Sequence, residues 1–222
     1  MKTVLLTGFE PFGNTPINPA ESVARTLHNT DLKSASITSR IVPNTFFECI
    51  EIVTAAIETI HPDIIIMMGE FGGRATITVE RIAQNRNDAT RYDLVDNQGN
   101  APQDVPTAPE GPAAYYSTLP IRAMVKSMLD AGIPAEISDA PGTFCCNHLM
   151  YGVLHHLTTH DLPVRTGWIH LPHLPEVAAL NHNLGNPSMS AETAASGVKV
   201  AVQAALDHET DINSPIPGRL QI

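Results

Sequence analysis

Two cysteines stand side by side in the stretch Asp139-Ala140-Pro141-Gly142-Thr143-Phe144-Cys145-Cys146-Asn147-His148-Leu149. A thiol does nucleophilic chemistry as thiolate, and its surroundings decide how readily that form appears. To the left, residues 134–138 read as a short strand. To the right, residues 146–160 read as an amphipathic helix, with Leu149, Met150, Val153, Leu154 and Leu157 spaced along one face. Pro141 and Gly142 punctuate the join, so both cysteines fall on the first turn of a helix that follows a strand. Unpaired backbone N–H groups and the positive end of the helix dipole favour thiolate there. Cys146 lies near the centre of the apolar arc, where an inert core cysteine would also sit. At a helix start, however, that direction faces the crevice at the carboxyl ends of the strands, where α/β proteins place their sites. Spacing alone leaves both readings open. A vicinal Cys145–Cys146 disulfide would close a small strained ring and is not expected.

A cysteine hydrolase also needs an imidazole to take and return a proton, and a group that fixes its tautomer. Residues 164–171 form a buried strand that carries Trp168, and Pro172 and Pro175 break the pattern just beyond it. His170 is thereby left at a carboxyl strand end. Residues 75–83 read as one alternating strand, with Ala75, Ile77, Val79 and Arg81 on one face and Thr76, Thr78, Glu80 and Ile82 on the other. A solvated edge carboxylate would give the same pattern. Even so, Glu80, Cys146 and His170 point to one edge of one sheet. With 10 histidines in the chain, His148, His155, His156, His160 and His173 are rivals, those on the helix at 155–160 being expected to face solvent.

The elements that must position these groups alternate strand and helix. Residues 2–7 form a buried strand ending in Gly8-Phe9-Glu10-Pro11-Phe12-Gly13-Asn14, where Phe9 and Phe12 could line an apolar pocket or simply pack the loop. Asn18 caps a helix with Pro19 at its first position and Glu21 at its third. A second strand covers 34–42. Thr45-Phe46-Phe47-Glu48 has the form of a capping box for a helix with Phe46, Ile50, Val53, Ile57 and Ile60 inward and Cys49 in the core. The continuous apolar run 64–68 is a strand covered on both faces. Residues 120–131 and 190–208 read as helices, the second capped by Ser190. Residues 85–112 have no period, and a loop that long is disordered or functional; its charged side chains would suit a lid. Residues 211–222 read as a loose tail. The expectation is one domain over residues 1–222: a three-layer, doubly wound, mostly parallel twisted sheet with helices on both faces.

Composition removes several function classes. A chain of 222 residues with a net charge of −10 and no basic stripe is not expected to bind nucleic acid. Its 3 cysteines make no disulfide framework, and no apolar run reaches membrane-spanning length. The N-terminal apolar run is too short for a signal peptide. A cytoplasmic location with no membrane partner is expected.

Four blocks carry a family resemblance over nearly the whole chain: Gly8-Phe9-Glu10-Pro11-Phe12-Gly13; Gly72-Gly73-Arg74 with Thr78-Val79-Glu80-Arg81; Gly142-Thr143-Phe144-Cys145-Cys146-Asn147-His148; and Gly167-Trp168-Ile169-His170-Leu171-Pro172 with Leu174-Pro175-Glu176. The chain resembles pyroglutamyl peptidase type I, the pyrrolidone-carboxylate peptidases. The resemblance implies a cysteine exopeptidase that removes N-terminal pyroglutamate from peptides through a thioester. It implies Cys146 as nucleophile, His170 as base and Glu80 as its orienting carboxylate. Phe9 and Phe12 would hold the substrate ring, no metal or cofactor would be required, and a homo-oligomer, a tetramer, would form. Two positions depart from the family: Arg91, the match for an oxyanion-binding arginine, is shifted, and Glu70 stands where a neutral residue is usual. Two other classes remain as alternatives: a phosphorylase-like α/β enzyme acting on nucleosides, and a metal-binding protein using His170, His173 and a cysteine.

Overall fold

The computed structural model describes residues 1–139 and 141–218. The chain runs β1 (Lys2–Phe9), α1 (Pro19–Leu27), β2 (Ala35–Val42), α2 (Glu48–Ile60), β3 (Ile64–Glu70), β4 (Ile77–Glu80), β5 (Ile82–Gln84), β6 (Ala114–Tyr116), α3 (Ile121–Asp130), β7 (Ala135–Ser138), α4 (Cys145–Thr159), β8 (Arg165–Leu171), α5 (Pro175–Ala178) and α6 (Ala191–Asp207). Six strands form one sheet in the order β2-β1-β3-β8-β4-β7. The β1–β2, β1–β3, β3–β8 and β4–β7 pairs are parallel, and β4 runs antiparallel to β8. The expected three-layer, mostly parallel α/β sheet is therefore present, with one reversal. Its cause is length: residues 71–76 between β3 and β4 are too few for a parallel crossover, which takes a dozen or more residues.

Strand alternation sorts the core into two layers. Val4, Leu6, Ile64, Ile66, Met68, Ile169 and Leu171 face α1, α3 and α6. Leu5, Ile65, Met67 and Trp168 face α2 and α4. The continuous apolar run of β3 serves both layers, as expected for a strand buried on each side.

Local signals hold at several termini. Asn18 accepts a hydrogen bond from Ala20 N at the start of α1, and Ser190 accepts one from Thr193 N at the start of α6. The capping box at 45–48 does not form. Phe47 occupies the cap with a φ of 65°, and no side chain of that box caps the helix. Instead Asp96 accepts from Phe46 N at 3.0 Å and His148 Nε2 accepts from Phe47 N at 2.8 Å. Partners from distant segments replaced the local one.

The single strand expected at 75–83 is two. At Arg81 the chain changes partners, its N–H donating to Ser138 O and its C=O accepting from Ser117 N. Beyond it β5 pairs antiparallel with β6, a strand the sequence reading did not anticipate. The segment 85–112 is folded upon itself and onto its neighbours. Asn85 binds Thr107 N, Ala108 N and Ala108 O, and Asn87 and Val105 exchange backbone hydrogen bonds. Asp96 gathers Phe46 N, Gln98 N and Asn100 N. Its position is that of a docked platform, with no free span to act as a lid. The tail is also tied, since Asp211 accepts from Arg122 N and Ala123 N and so caps α3. Residues 219–222 of the expected tail lie outside the described residues.

Candidate active site

Three strand or helix ends meet at one cavity. His170 comes from β8, Glu80 from the end of β4, and Cys146 from the first turn of α4. In the β4–β8 register Thr78 lies opposite His170 and Glu80 opposite Trp168, so the carboxylate reaches the imidazole diagonally on the same face. His170 Nδ1 and Glu80 Oε1 are 2.7 Å apart. Exposure is 0% for Glu80, 1% for His170 and 6% for Cys146, so the chemistry is shielded from bulk water.

Glu80 has further partners. The Arg74 guanidinium donates to its Oε1 at 2.9 Å and to Thr78 Oγ1 at 2.5 Å, and Arg74 also lies 3.7 Å above the Phe71 ring. Phe71 in turn meets the His170 ring edge-on at 5.2 Å. Burial opposes the charge on Glu80, but the His170 hydrogen bond and field, the Ser138 hydroxyl and Arg74 outweigh it and hold the carboxyl below its usual pKa. Burial lowers the pKa of His170, and the Glu80 hydrogen bond and charge offset only part of that. A neutral imidazole facing a carboxylate donates through Nδ1–H, which leaves Nε2 as a base. That Nε2 is buried and has no hydrogen-bond partner among the described residues.

Cys146 and His170 line the same cavity, of about 360 Å³, with Phe12, Phe71, Tyr92, Leu94 and Phe144. Gly69, paired with His170 in the sheet, makes room for the sulfur: a Cβ there would lie 3.0 Å from Cys146 Sγ and 2.7 Å from Trp168. The helix start carries no side-chain cap at Phe144, so first-turn N–H groups remain free to face an anion. The expectation of a depressed thiol pKa is corrected here. Burial raises the Cys146 pKa, and the charge of Glu80 adds to the rise, outweighing the helix start. Cys145 is fully buried in the α2–α4 core with Cys49, and all three thiols are free.

The other expected residues are placed as follows. Phe12 lines the cavity 5.9 Å from Phe144, which the sequence reading had quoted without a role. Phe9 does not line it; its ring packs at a tilt 5.5 Å from that of Trp168. Arg91 is exposed, its guanidinium 5.1 Å from the ring of Tyr92, and Tyr92 is the residue that reaches the cavity. The Tyr92 hydroxyl accepts from Thr143 N at 3.2 Å, which docks the 85–112 segment onto the turn before α4. Asn147 clamps the same helix start to Gln84 and Arg86 backbone groups. His148 is no rival base: its two ring nitrogens bind Phe47 N and Thr107 Oγ1, and burial pushes its pKa down to about 3. Arg74 and Phe71 were missed; only Arg74 had a hint, its place in a matched block. No group of three or more His, Cys, Asp or Glu side chains among the described residues is arranged to hold a metal. No described helix is long and apolar enough to cross a membrane.

The chain is similar over its whole length to known proteins. The family model of pyroglutamyl peptidase matches residues 2–208. The pyrrolidone-carboxylate peptidases of Mycobacterium tuberculosis (H37Rv) and Mycobacterium marinum are 57% and 53% identical, each over 222 residues and the full length of both chains. The crystal structure of pyroglutamyl peptidase I from Bacillus amyloliquefaciens superimposes with a TM-score of 0.91 at 40% identity, covering 96% of this chain and 99% of that one. Pyrrolidone carboxyl peptidase from Thermococcus litoralis gives a TM-score of 0.91 at 37% identity, covering 97% of this chain and 100% of that one. These matches do not support the nucleoside-phosphorylase and metal-binding alternatives. The chain belongs to the pyroglutamyl peptidase family of cysteine-type hydrolases.

Proposed function

We propose that Cys146 is the nucleophile of this pyroglutamyl peptidase, His170 its acid–base group and Glu80 the carboxylate that holds the imidazole. One observation carries the assignment: His170 is bonded to Glu80 through Nδ1 and faces, through an unpartnered Nε2, the cavity it shares with Cys146. The thiol gives its proton to Nε2 as sulfur bonds to the carbonyl carbon of the pyroglutamyl residue. The tetrahedral oxyanion is met by the Cys146 N–H at the start of α4, a kind of donor whose loss costs about 3 kcal/mol. As the C–N bond breaks, the imidazolium protonates the departing amine. Water, deprotonated by Nε2, then hydrolyses the thioester and releases pyroglutamate.

The cavity supports a flat neutral ring as substrate. Phe12 and Phe144 supply an aromatic clamp, and Leu94 and Tyr92 extend the apolar wall. The ring's own N–H and C=O need partners, which the strand-end backbone of Glu70, Phe71 and Gly72 can supply. Arg91, stacked on Tyr92, acts at the rim, and Phe9 supports the floor through Trp168. Three free thiols suit a reducing cytoplasm, and exposed apolar side chains such as Phe47 and Val105 are consistent with a homo-oligomer.

The test is hydrolysis of a fluorogenic pyroglutamyl amide before and after iodoacetamide, with a prolyl amide alongside. Alkylation should end turnover, and the prolyl amide should be cleaved at least ~100-fold more slowly, because its ring ammonium would be desolvated without the lactam carbonyl's partners met. Equal kcat/KM on the two amides would refute the substrate assignment.

A further inference from the structure

We infer that Glu70 and His173 form a positioning pair that holds the Glu70-Phe71-Gly72 backbone against the substrate ring. The inference rests on the pyroglutamyl reading above. It starts from strand alternation: Met68 belongs to the layer under α1 and α6, and Gly69 meets Cys146 and Trp168 on the opposite face. Glu70, one residue further, sends its side chain away from the thiol. What it presents to the cavity is its backbone. Behind the wall, His173 Nδ1 lies 2.8 Å from Glu70 Oε1, and both side chains are almost fully buried.

The other edge of the His173 ring abuts Gly72. A Cβ on Gly72 would fall 2.3 Å from His173 Nε2 and 2.5 Å from Cε1, so the ring and that stretch of backbone are in direct contact. One imidazole therefore supports both ends of a three-residue wall. Between them, Phe71 N donates to Leu171 O at 2.9 Å, and the Phe71 ring rests between His170 and Arg74. His173 itself does not line the cavity that holds Cys146, and its Nδ1 is engaged by Glu70. A buried carboxyl and imidazole are retained only with good mutual geometry, and a directional pair fixes a backbone more tightly than an apolar contact of equal size.

Loosening this wall weakens ring binding in the ground state and the transition state alike, which raises KM and leaves kcat in place. The experiment measures steady-state kinetics of His173→Ala and Glu70→Gln on a pyroglutamyl amide. In parallel, the concentration of 2-pyrrolidone that protects Cys146 from iodoacetamide is measured. His173→Ala should raise KM and the protecting concentration together by ~10-fold, with kcat within ~2-fold. Glu70→Gln, which still accepts from Nδ1–H, should stay within ~3-fold of the parent on both. If His173→Ala does not fold, His173→Gln replaces it, with an expected rise of ~3-fold or more in both readouts. A fall in melting temperature with unchanged protection by pyrrolidone, or a kcat loss larger than the KM rise, would overturn the inference. Protection by pyrrolidone does not depend on turnover, so a chain that failed to cleave pyroglutamyl amides would sink the substrate assignment while this pair could still be judged.

Discussion

Two histidine–carboxylate pairs sit within a few residues of each other at the end of β8, and they differ in what the second ring nitrogen meets. His170–Glu80 and His173–Glu70 have nearly equal separations, 2.7 and 2.8 Å, and all four side chains are buried. His170 Nε2 has no partner among the described residues and faces a cavity that also holds a thiol. His173 Nε2 is pressed against Gly72 backbone. The carboxylates differ too. Arg74 and Thr78 bind Glu80, whose pKa is lowered, whereas burial dominates at Glu70 and raises its pKa. A hydrogen-bonded imidazole–carboxylate pair is therefore no proof of catalysis. Access of the free nitrogen to a reacting atom separates the machine from its mounting.

The sharpest break of this comparison is at the sulfur and the His170 imidazole. Cys146→Ser and His170→Ala should each lower kcat/KM by at least ~1000-fold, the scale seen when a nucleophile or its base is removed. Cys145→Ala, in the core and off the cavity, should keep a sizeable fraction of turnover. Kinetics of purified variants decide this, and a silent Cys146→Ser would transfer the nucleophile's role elsewhere.

Glu80→Gln should lower kcat by about 100-fold or more, because the amide can hold the imidazole in the wrong tautomer. The pH dependence has a definite sign. Turnover needs neutral His170, so activity falls as pH drops through the His170 pKa, which lies below the ordinary histidine value. The Glu80 charge raises that pKa, so removing it should move the acid limb to still lower pH. An acid limb that stays in place would take Glu80 out of contact with the base.

At the clamp, Phe12→Ala should raise KM about 10-fold, with a small change in kcat, from lost burial of one aromatic face. Asp96→Ala tests whether the 85–112 segment is a fixed platform. Removing the acceptor of three backbone N–H groups should cost about 2–3 kcal/mol and lower the melting temperature by roughly 4–10 °C. A variant that melts normally would restore the idea of a loosely held loop. The smallest effect is expected at Arg91→Ala, a few-fold loss of kcat without a change in melting temperature, since the side chain is exposed and touches the cavity only through Tyr92.

Much of the site was legible because two of its three chemical groups end a regular element. Cys146 opens a helix and His170 closes a buried strand before Pro172, while Glu80 was placed only on a face of an alternating run whose end at Glu80 the structure revealed. Period and punctuation are local properties, so they place such residues on one sheet edge without coordinates. The same reasoning failed at 45–48, where the capping box was outcompeted by Asp96 and His148, partners 50 and 101 residues away in sequence. It failed again at 75–83, where the switch at Arg81 depends on Ser117 and Ser138, and at Phe9, which packs against Trp168 instead of lining the cavity.

The sequence alone determined the alternation of strands and helices, the caps at Asn18 and Ser190, the two-sided burial of β3 and, through four blocks of residues, the family. These follow from steric preferences and hydrophobic period, which act over a few neighbouring residues. Tertiary structure alone decided that β4 runs against β8, that Arg74 and Phe71 brace the Glu80–His170 pair, that Phe144 faces Phe12, and that His173 stays out of the cavity's lining. It also decided the state of the thiol. A helix start favours thiolate through a field of one turn, but the desolvation that opposes it is set by every segment packed around the sulfur, and that sum does not exist until the chain has folded.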